Sequence, residues 1–225
     1  MPELPEVETV RRGLEATVVG QRIVDVVVTG ARSVRRQPSA ELRSRLFGRR
    51  IDAAMRRGKF LALPLDDGQV LVVHLRMSGR LLYVAEPERS PALPHTHIVA
   101  SFSRGGELRF VDPRTFGEWY VTDGVDGAGL PAELARMGPD PLLDGLGPRA
   151  LAARLAASRR PIKAALTDQR VLAGIGNLYA DEICFAARLR PDRSAASLET
   201  GDHRRLARSI ARVLREATEA RGSSL

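Results

Sequence analysis

The sequence predicts an α+β fold in which an N-terminal helix and an antiparallel β-sandwich are followed by an all-α domain. Apolar residues first recur at helical spacing, then alternate or form short runs, and return to helical spacing from Pro148 onward. The short runs are joined by hairpin turns. This combination favours an antiparallel sandwich over a parallel sheet with crossover helices.

The first helix is predicted directly after the opening residues MPELP. Pro5 suits a first helical turn, and Glu6 and Glu8 oppose the positive end of the helix dipole. Gly20 ends the pattern. Four apolar residues give this helix a buried stripe: Val7, Val10, Leu14 and Val18.

The β-rich region begins with a strand over 21–29, followed by a short helix at Ser39–Phe47 with Ser39 as its N-cap. Turns at Asp66–Gly68 and Arg104–Gly106 predict hairpins. Seven further strand signals follow the short helix: Ile51–Met55, Phe60–Leu65, Val70–Leu75, Leu81–Val84, His97–Ser103, Leu108–Val111 and Glu118–Val121.

The domain organisation is predicted from a change in composition. A β-rich domain spans 1–122, a linker rich in Gly, Pro and Asp spans 123–147, and a helical domain spans 148–225. Four helices are predicted in the last region: Pro148–Ala157, Pro161–Leu166, Gly176–Ala187 and Thr200–Ala220.

The formal net charge is +8, which indicates either a polyanionic partner such as nucleic acid or a basic surface with no such partner. Only Lys59 and Lys163 are lysine among 35 basic residues. Arginine does not release a proton near neutral pH, whereas a buried lysine can. The two lysines are therefore candidates for chemistry, with ordinary surface cations as the alternative.

The single cysteine, Cys184, excludes an internal disulfide and a cysteine-rich zinc site within these residues. It lies in an apolar helical stretch and is predicted to be a core residue. No apolar run is long enough for a transmembrane helix, and the acidic N-terminus is unlike a signal peptide. These features favour a cytoplasmic protein without membrane association.

Five motifs occur in a fixed order: MPELPEVETVRRGLE, RRGKF, HLRMSGRL, DPRTFG and GIGNLYADE. In order and spacing, the sequence resembles bacterial formamidopyrimidine-DNA glycosylases from Met1 to Leu225. The resemblance implies a β-sandwich joined to a helix–two-turn–helix domain, double-stranded damaged DNA as partner, and a monomeric, nucleoid-associated repair enzyme. The implied activity is excision of oxidised purines, such as 8-oxoguanine and formamidopyrimidine, with β-elimination at the abasic site and no cofactor in the chemistry.

The resemblance also implies catalytic residues. Removal of Met1 would leave Pro2 with a free secondary amine, part of it neutral at neutral pH, and attack on the sugar C1′ would give an iminium. Pro2 is then the nucleophile, Glu3 the acid or base, and Lys59 the group that assists elimination, with Glu6 close to the extruded nucleotide. Taken locally, Pro2 and Pro5 are ordinary helix-start residues, which is the alternative for this segment.

DNA-binding residues follow from the same resemblance. Gly174–Asn177 precedes a helix, whose N-terminus offers free N–H donors to an anion. Asn177 and His74 are implied phosphate contacts, and Lys163 a phosphate or base contact. A core histidine is the alternative for His74, and an Asn-capped turn for Asn177. His95 is a further DNA contact, unless it forms a metal site with His97.

Base extrusion leaves a gap in the duplex that the protein must fill. The resemblance implies that Met77, Arg114 and Phe116 fill it, because apolar wedges and a planar guanidinium can stack and pair there. The alternative is that Met77 and Phe116 are core residues.

The sequence departs from the family at its end. Relatives continue into a lesion-covering loop and a four-cysteine hairpin that binds one structural zinc ion, whereas these residues end at Gly222–Leu225. Full DNA affinity and base recognition are therefore in doubt. Two other hypotheses remain: an oxidised-pyrimidine glycosylase of the sister branch, which usually has Gly at the position of Leu4, and a catalytically impaired DNA-binding fragment.

Overall fold

The computed structural model describes residues 1–123, 130–156 and 158–222. These residues form two compact units. The first unit contains Met1–Pro2, Val7–Arg56 and the chain from Phe60 to Ala135, and the second contains Glu3–Glu6, Arg57–Lys59 and the chain from Arg136 onward. The second unit therefore includes two short segments that come from the N-terminal part of the chain. These segments carry two candidate catalytic residues, Glu3 and Lys59.

Helix α1 spans Leu4–Thr17, so Pro5 lies in its first turn as predicted. The predicted apolar stripe is buried at Val7 and Leu14 and continues past the helix to Val18. Gly20 follows with a φ of 78°, a conformation that glycine adopts without strain.

The described residues of the first unit contain eight strands: β1 (Ile23–Val28), β2 (Met55–Arg57), β3 (Phe60–Pro64), β4 (Val70–His74), β5 (Arg80–Val84), β6 (Thr96–Phe102), β7 (Glu107–Val111) and β8 (Glu118–Thr122). They form two four-stranded sheets with the orders β1-β6-β7-β5 and β2-β3-β4-β8. The hairpins β3–β4 and β6–β7 are antiparallel and turn at the two predicted positions.

One apolar cluster lies between the two sheets and holds them together. Phe110 on β7 and Trp119 on β8 belong to different sheets, and their ring centroids are 6.0 Å apart. Both side chains are fully buried. The shared core confirms the predicted antiparallel sandwich.

Two local predictions were wrong. The strand predicted at Ile51–Met55 begins only at Met55, whereas Ile51 forms an isolated bridge to Leu65. Ile51 is buried in the core. A short run of apolar residues does not distinguish such a buried residue from one that is paired in a strand. Helix α2 spans Ser39–Leu46 with Pro38 as its N-cap, since the Pro38 carbonyl accepts the Leu42 N–H at 3.0 Å.

Helix α3 (Ala132–Ala135) falls within the predicted linker but belongs to the first unit. Residues 124–129 of that linker, and Ala157 at the end of the first predicted helix of the helical domain, lie outside the described residues. Four helices build the second unit: α4 (Pro148–Leu155), α5 (Ile162–Leu166), α6 (Asn177–Ala187) and α7 (Thr200–Glu219). The α+β prediction is therefore confirmed.

The second unit has its own apolar core, formed mainly by α4–α7. Leu4 belongs to this core and is fully buried. Helix α7 begins with a capping box between Glu199 and Asp202, which satisfies N–H groups that a helix start leaves without partners. In the part of the chain that the structure describes, no helix is both long enough and apolar enough to span a membrane.

Candidate active site

The carboxylate of Glu3 caps the N-terminus of α6. Its Oε2 accepts N–H groups from Gly176 at 2.6 Å and Tyr179 at 3.4 Å, and its Oε1 accepts the Leu178 N–H at 3.0 Å. First-turn N–H groups have no partner within a helix, and the helix dipole favours a negative charge beside them. From the sequence, these N–H groups were expected to be free to bind a phosphate. In the structure three of them bind the carboxylate of Glu3, which is 2% exposed.

The two glycines of this turn make room for the N-terminal residues. A β-carbon at position 176 would lie 2.3 Å from the Cδ of Glu3, and one at position 174 would lie 2.6 Å from the Cδ1 of Leu4. Gly174 also has a φ of 95°, and its carbonyl accepts the Leu4 N–H at 3.1 Å. Glycine is therefore needed at positions 174 and 176 because Leu4 and Glu3 come close to the backbone there.

Glu6 is held from two sides. Its Oε2 accepts the backbone N–H of Glu3 at 2.9 Å, and its Oε1 accepts the hydroxyl of Tyr179 at 2.7 Å. All three residues are buried. The sequence analysis missed Tyr179, although a buried tyrosine hydroxyl on a helix needs a hydrogen-bond partner and could have indicated a polar contact.

Lys59 lies in the turn between β2 and β3, and two acidic residues anchor this turn. The Gly58 N–H donates to the Oδ2 of Asp140 at 2.9 Å, and Arg57 forms an ion pair with Asp144 at 2.6 Å. Gly58 has a φ of 57°, and Asp140 is fully buried. Asp140 was also missed, because it lies in a Gly- and Pro-rich stretch that resembles an unstructured connection.

The electrostatic environment of Lys59 is mixed. Burial lowers its pKa below the ordinary value of 10.5, and the negative charges of Glu3 and Glu6 oppose part of that shift. The structure thus brings together three of the predicted residues: one amine and two carboxylates. Pro2 is half-buried and directly precedes Glu3; its nitrogen is an amide in the chain that retains Met1.

The predicted DNA-binding histidines differ in environment. His74 is buried on β4, where its Nδ1 accepts the Arg76 N–H at 2.9 Å and its ring packs edge-on against Phe60. His95 is exposed with a φ of 66°, whereas the Nε2 of His97 lies 2.9 Å from the Asp112 carbonyl oxygen. His74 therefore has partners within the protein. A core histidine needs such partners too, so these contacts are consistent with the alternative interpretation of His74.

The described residues contain no group of three or more His, Cys, Asp or Glu that could hold a metal ion. They accordingly offer no third ligand beside His95 and His97. The single cysteine is buried in α6, and its burial raises the pKa of the Cys184 thiol to about 11. The residues described here do not fit the four-cysteine zinc site of the family.

Met77 and Phe116 are not core residues, because 43% and 47% of their surfaces are exposed. The guanidinium of Arg114 lies 5.1 Å from the ring centroid of Phe116. The alternative interpretation of these two side chains as core residues is therefore wrong, and both have surface available for a ligand.

A buried carboxylate joins the loops that carry these side chains. Asp112 is fully buried and accepts the backbone N–H groups of Arg114 at 3.2 Å and Gly117 at 2.7 Å. It also accepts the hydroxyl of Ser78, which follows Met77. Asp112 therefore fixes the turn at Met77 and the loop at 114–117 to the same point.

Lys163 and Asn177 lie in the helical unit. The Nζ of Lys163 forms an ion pair with the Oδ2 of Asp181 at 2.8 Å, and both side chains are partly exposed. Asn177 is the first residue of α6 and is exposed. The structure gives Lys163 an internal partner and leaves the Asn177 side chain beside the helix terminus that Glu3 caps.

Comparisons with known proteins identify the family of this chain. Residues 1–119 match the family model described as formamidopyrimidine-DNA glycosylase N-terminal domain, and residues 137–225 match the H2TH domain of the same enzymes. The formamidopyrimidine-DNA glycosylase of Synechococcus elongatus is 48% identical over 100% of this chain and 79% of its own length. That of Symbiobacterium thermophilum is 46% identical over 100% of this chain and 72% of its own length.

Solved structures of formamidopyrimidine-DNA glycosylases are also similar to this chain. The Lactococcus lactis enzyme bound non-covalently to DNA containing an abasic site has a TM-score of 0.88 at 34% identity, covering 98% of this chain and 83% of that one. The wild-type enzyme with DNA containing N7-benzyl-Fapy-dG has a TM-score of 0.89 at 34% identity, covering 100% and 81%. On the family models, the identities and these structures, the chain belongs to the formamidopyrimidine-DNA glycosylase family of DNA-repair enzymes.

Proposed function

We propose that this chain excises oxidised purines from double-stranded DNA and cleaves the strand at the resulting abasic site, with Pro2 as nucleophile. Support comes from the family, whose relatives are formamidopyrimidine-DNA glycosylases, and from the Lactococcus lactis complexes with abasic-site and Fapy-dG-type DNA. We propose that it acts as a monomer associated with the nucleoid.

The proposed reaction begins when the neutral secondary amine of Pro2 attacks C1′ of the extruded nucleotide. A new N–C1′ bond forms, the glycosidic bond breaks, and the base leaves with the bonding pair and a proton. Opening of the sugar gives an iminium, which withdraws electrons from C2′. Loss of a C2′ proton then breaks the C3′–O bond and releases the phosphate, and water hydrolyses the iminium to regenerate Pro2.

The observation that carries this proposal is that Glu3, which directly follows Pro2 in the sequence, lies in one structural unit with Lys59 and contributes to its electrostatic environment. Glu3 can exchange a proton with the sugar or base, and the cationic form of Lys59 can stabilise the departing phosphate. The two side chains are held by separate anchors, Glu3 by the N-terminus of α6 and the Lys59 turn by Asp140. Preorganised groups of opposite charge suit proton transfer and phosphate release in one reaction.

The remaining predicted residues are proposed to hold the DNA. Met77, Arg114 and Phe116 fill the space left by the extruded base, which agrees with the exposure of Met77 and Phe116. His74, His95, Lys163 and Asn177 contact the DNA backbone or bases. For Lys163 this requires the ion pair with Asp181 to open or to share the cation with a phosphate.

Borohydride trapping tests the nucleophile. Protein shown by mass spectrometry to begin at Pro2 is incubated with a duplex containing 8-oxoguanine or an abasic site in the presence of sodium borohydride. We expect a covalent adduct, with peptide mapping placing the DNA on Pro2. The matched control is the same chain with Met1 retained, in which the Pro2 nitrogen is an amide and no adduct is expected. An adduct on another residue, or equal adduct with Met1 retained, would disprove the proposal.

A further inference from the structure

Glu6 and Tyr179 form a buried pair that takes no part in the bond-making steps. The Oε1 of Glu6 accepts the Tyr179 hydroxyl, and its Oε2 accepts the N–H of Glu3. That N–H belongs to the peptide group between Pro2 and Glu3. The carboxylate therefore links a side chain of α6 to the peptide group that carries the nucleophilic residue.

We propose that Tyr179 is a positioning residue that orients Pro2 through Glu6. The inference rests on the proposed role of Pro2 and adds a residue to which no role has been assigned. The Pro2–Glu3 peptide group fixes the position of the Pro2 Cα, so that one rotatable bond, the Cα–C bond of Pro2, separates this group from the orientation of the secondary amine. A nucleophile must approach the sugar C1′ along a defined line, so small rotations of this peptide group reduce the rate.

The position of the Glu6 carboxylate is restricted on a third side by the end of α7. A β-carbon at position 222 would lie 2.6 Å from the Oε1 of Glu6, and Gly222 has a φ of 92°. Glu6 is thus confined by the Tyr179 hydroxyl, the Glu3 N–H and the backbone of Gly222. A carboxylate confined in this way transmits the position of α6 to the N-terminus.

The Glu3 side chain does not make this anchor redundant. Its carboxylate is fixed at the N-terminus of α6, yet the rotatable bonds of the Glu3 side chain separate that carboxylate from the backbone N–H. Of these two contacts, the one to Glu6 acts on the peptide group itself. The two anchors therefore separate two tasks: one places the acid or base and the other orients the amine.

The phenol ring and the hydroxyl of Tyr179 have different functions in this scheme. The ring belongs to the apolar core of the helical unit. Tyr179→Phe keeps the ring and its packing and removes only the hydroxyl that binds Glu6. The matched control is Tyr83→Phe, since the Tyr83 hydroxyl makes only long contacts, at 3.4 Å to Gln21 and 3.5 Å to the Gly105 carbonyl.

The experiment measures the single-turnover rate of the borohydride-trapped adduct on an abasic-site duplex, with protein that begins at Pro2. We expect Tyr179→Phe to reduce this rate at least tenfold, with the Kd for a non-cleavable duplex within twofold of wild type. Tyr83→Phe should match wild type in both. Glu6→Met removes both acceptor oxygens with an unbranched side chain of similar length, and should reduce the rate similarly.

If both changes act on one orientation, the double variant loses no more rate than the worse single variant. An unchanged rate in folded Tyr179→Phe, independent losses in the double variant, or a loss confined to Kd would overturn the inference. The wild-type arm separates the two proposals: no adduct at Pro2 refutes the proposed function, whereas a wild-type adduct with an equal rate in Tyr179→Phe refutes only the positioning role.

Discussion

The amide nitrogen of Gly176 lies 2.6 Å from the Oε2 of Glu3, and this approach leaves no space for a side chain at position 176. Gly176→Ala would place a methyl group 2.3 Å from the Glu3 Cδ and force the carboxylate away from α6. We expect strand cleavage to fall at least a hundredfold, a loss of the size attributed to general acid–base catalysis. Single-turnover cleavage of an 8-oxoguanine duplex measures this change.

Gly13→Ala is the matched control, because a β-carbon at position 13 of α1 would meet no atom within 4 Å. Alanine is favoured over glycine within a helix by about 1 kcal/mol, so this variant should be slightly more stable and equally active. Full activity in Gly176→Ala would show that Glu3 does not need its place at the helix terminus.

We expect the buried Lys59 to lower the free energy of unfolding at neutral pH. Its pKa is lowered in the folded protein, so the unfolded chain binds the proton more tightly and stability rises with pH up to the ordinary value of 10.5. Lys59→Met should therefore unfold at higher urea than wild type at pH 7. This advantage should shrink as the pH approaches 10.5, while β-elimination is lost.

Urea unfolding at pH 7 and pH 10 measures the effect of Lys59→Met. Lys163→Met is the control, since Lys163 forms an ion pair at the surface of the helical unit. It should change stability by no more than about 1 kcal/mol at either pH. A Lys59→Met protein less stable than wild type at pH 7 would contradict the expectation.

Glu8 and Arg56 form a buried ion pair in the first unit, at 2.9 Å and with the Arg56 side chain fully buried. Burial opposes the charge of Glu8, but hydrogen bonds from Arg11 and Arg56 outweigh it and lower its pKa below 4.5. Glu8→Gln should cost on the order of 3 kcal/mol at pH 7. Because the folded pKa is lowered, this contribution is complete above pH 4.5 and disappears as the pH falls through the folded value.

Glu15→Gln is the control for Glu8→Gln. Glu15 also pairs with Arg11, at 2.8 Å, but its side chain is 61% exposed. Its replacement should cost about 0–1 kcal/mol. Thermal unfolding of both variants at pH 7 and pH 3 gives the comparison, and equal losses for the two at pH 7 would refute the assignment of Glu8 as the stabilising partner.

Phe116 and Phe185 are both exposed phenylalanines, at 47% and 84%. If Phe116 stacks in the gap left by the base, Phe116→Ala should weaken lesion excision by about 1–3 kcal/mol, or about 5- to 150-fold, with little change in stability. Phe185→Ala should leave excision nearly unchanged. Parallel excision assays on 8-oxoguanine duplexes make the comparison, and equal effects would count against the stacking role.

The fold was predictable from sequence where the signals were local. The helical spacing of Val7 and Leu14 and the turns at Asp66–Gly68 and Arg104–Gly106 each depend on residues close in the chain. The strand that begins at Met55 was predicted to begin at Ile51, because a buried apolar residue gives the same sequence pattern as one paired in a strand. Local patterns specify element type better than element boundaries.

The candidate site was only partly predictable. Glu3, Glu6 and Lys59 were proposed as site residues from their motifs, but the contacts that hold them in the structure were not predicted. Glu3 meets Gly176 across 173 residues, and Gly58 meets Asp140 across 82. No periodicity or local propensity encodes contacts at such separations. The glycines of the motif were therefore assigned to a phosphate, when in the structure they make room for Glu3 and Leu4.

The separation between Glu3 and its cap also has a consequence for biosynthesis. The N-terminus cannot take its final place until residues 176–179 have left the ribosome. At about 5–20 residues per second, synthesis of the 173 residues between Glu3 and Gly176 takes roughly 9–35 s. During that interval the first residues have no completed site to occupy. If Pro2 is the nucleophile, as proposed, Met1 can be removed from a nascent chain whose N-terminus is still accessible, before the α6 terminus that binds Glu3 has been synthesised.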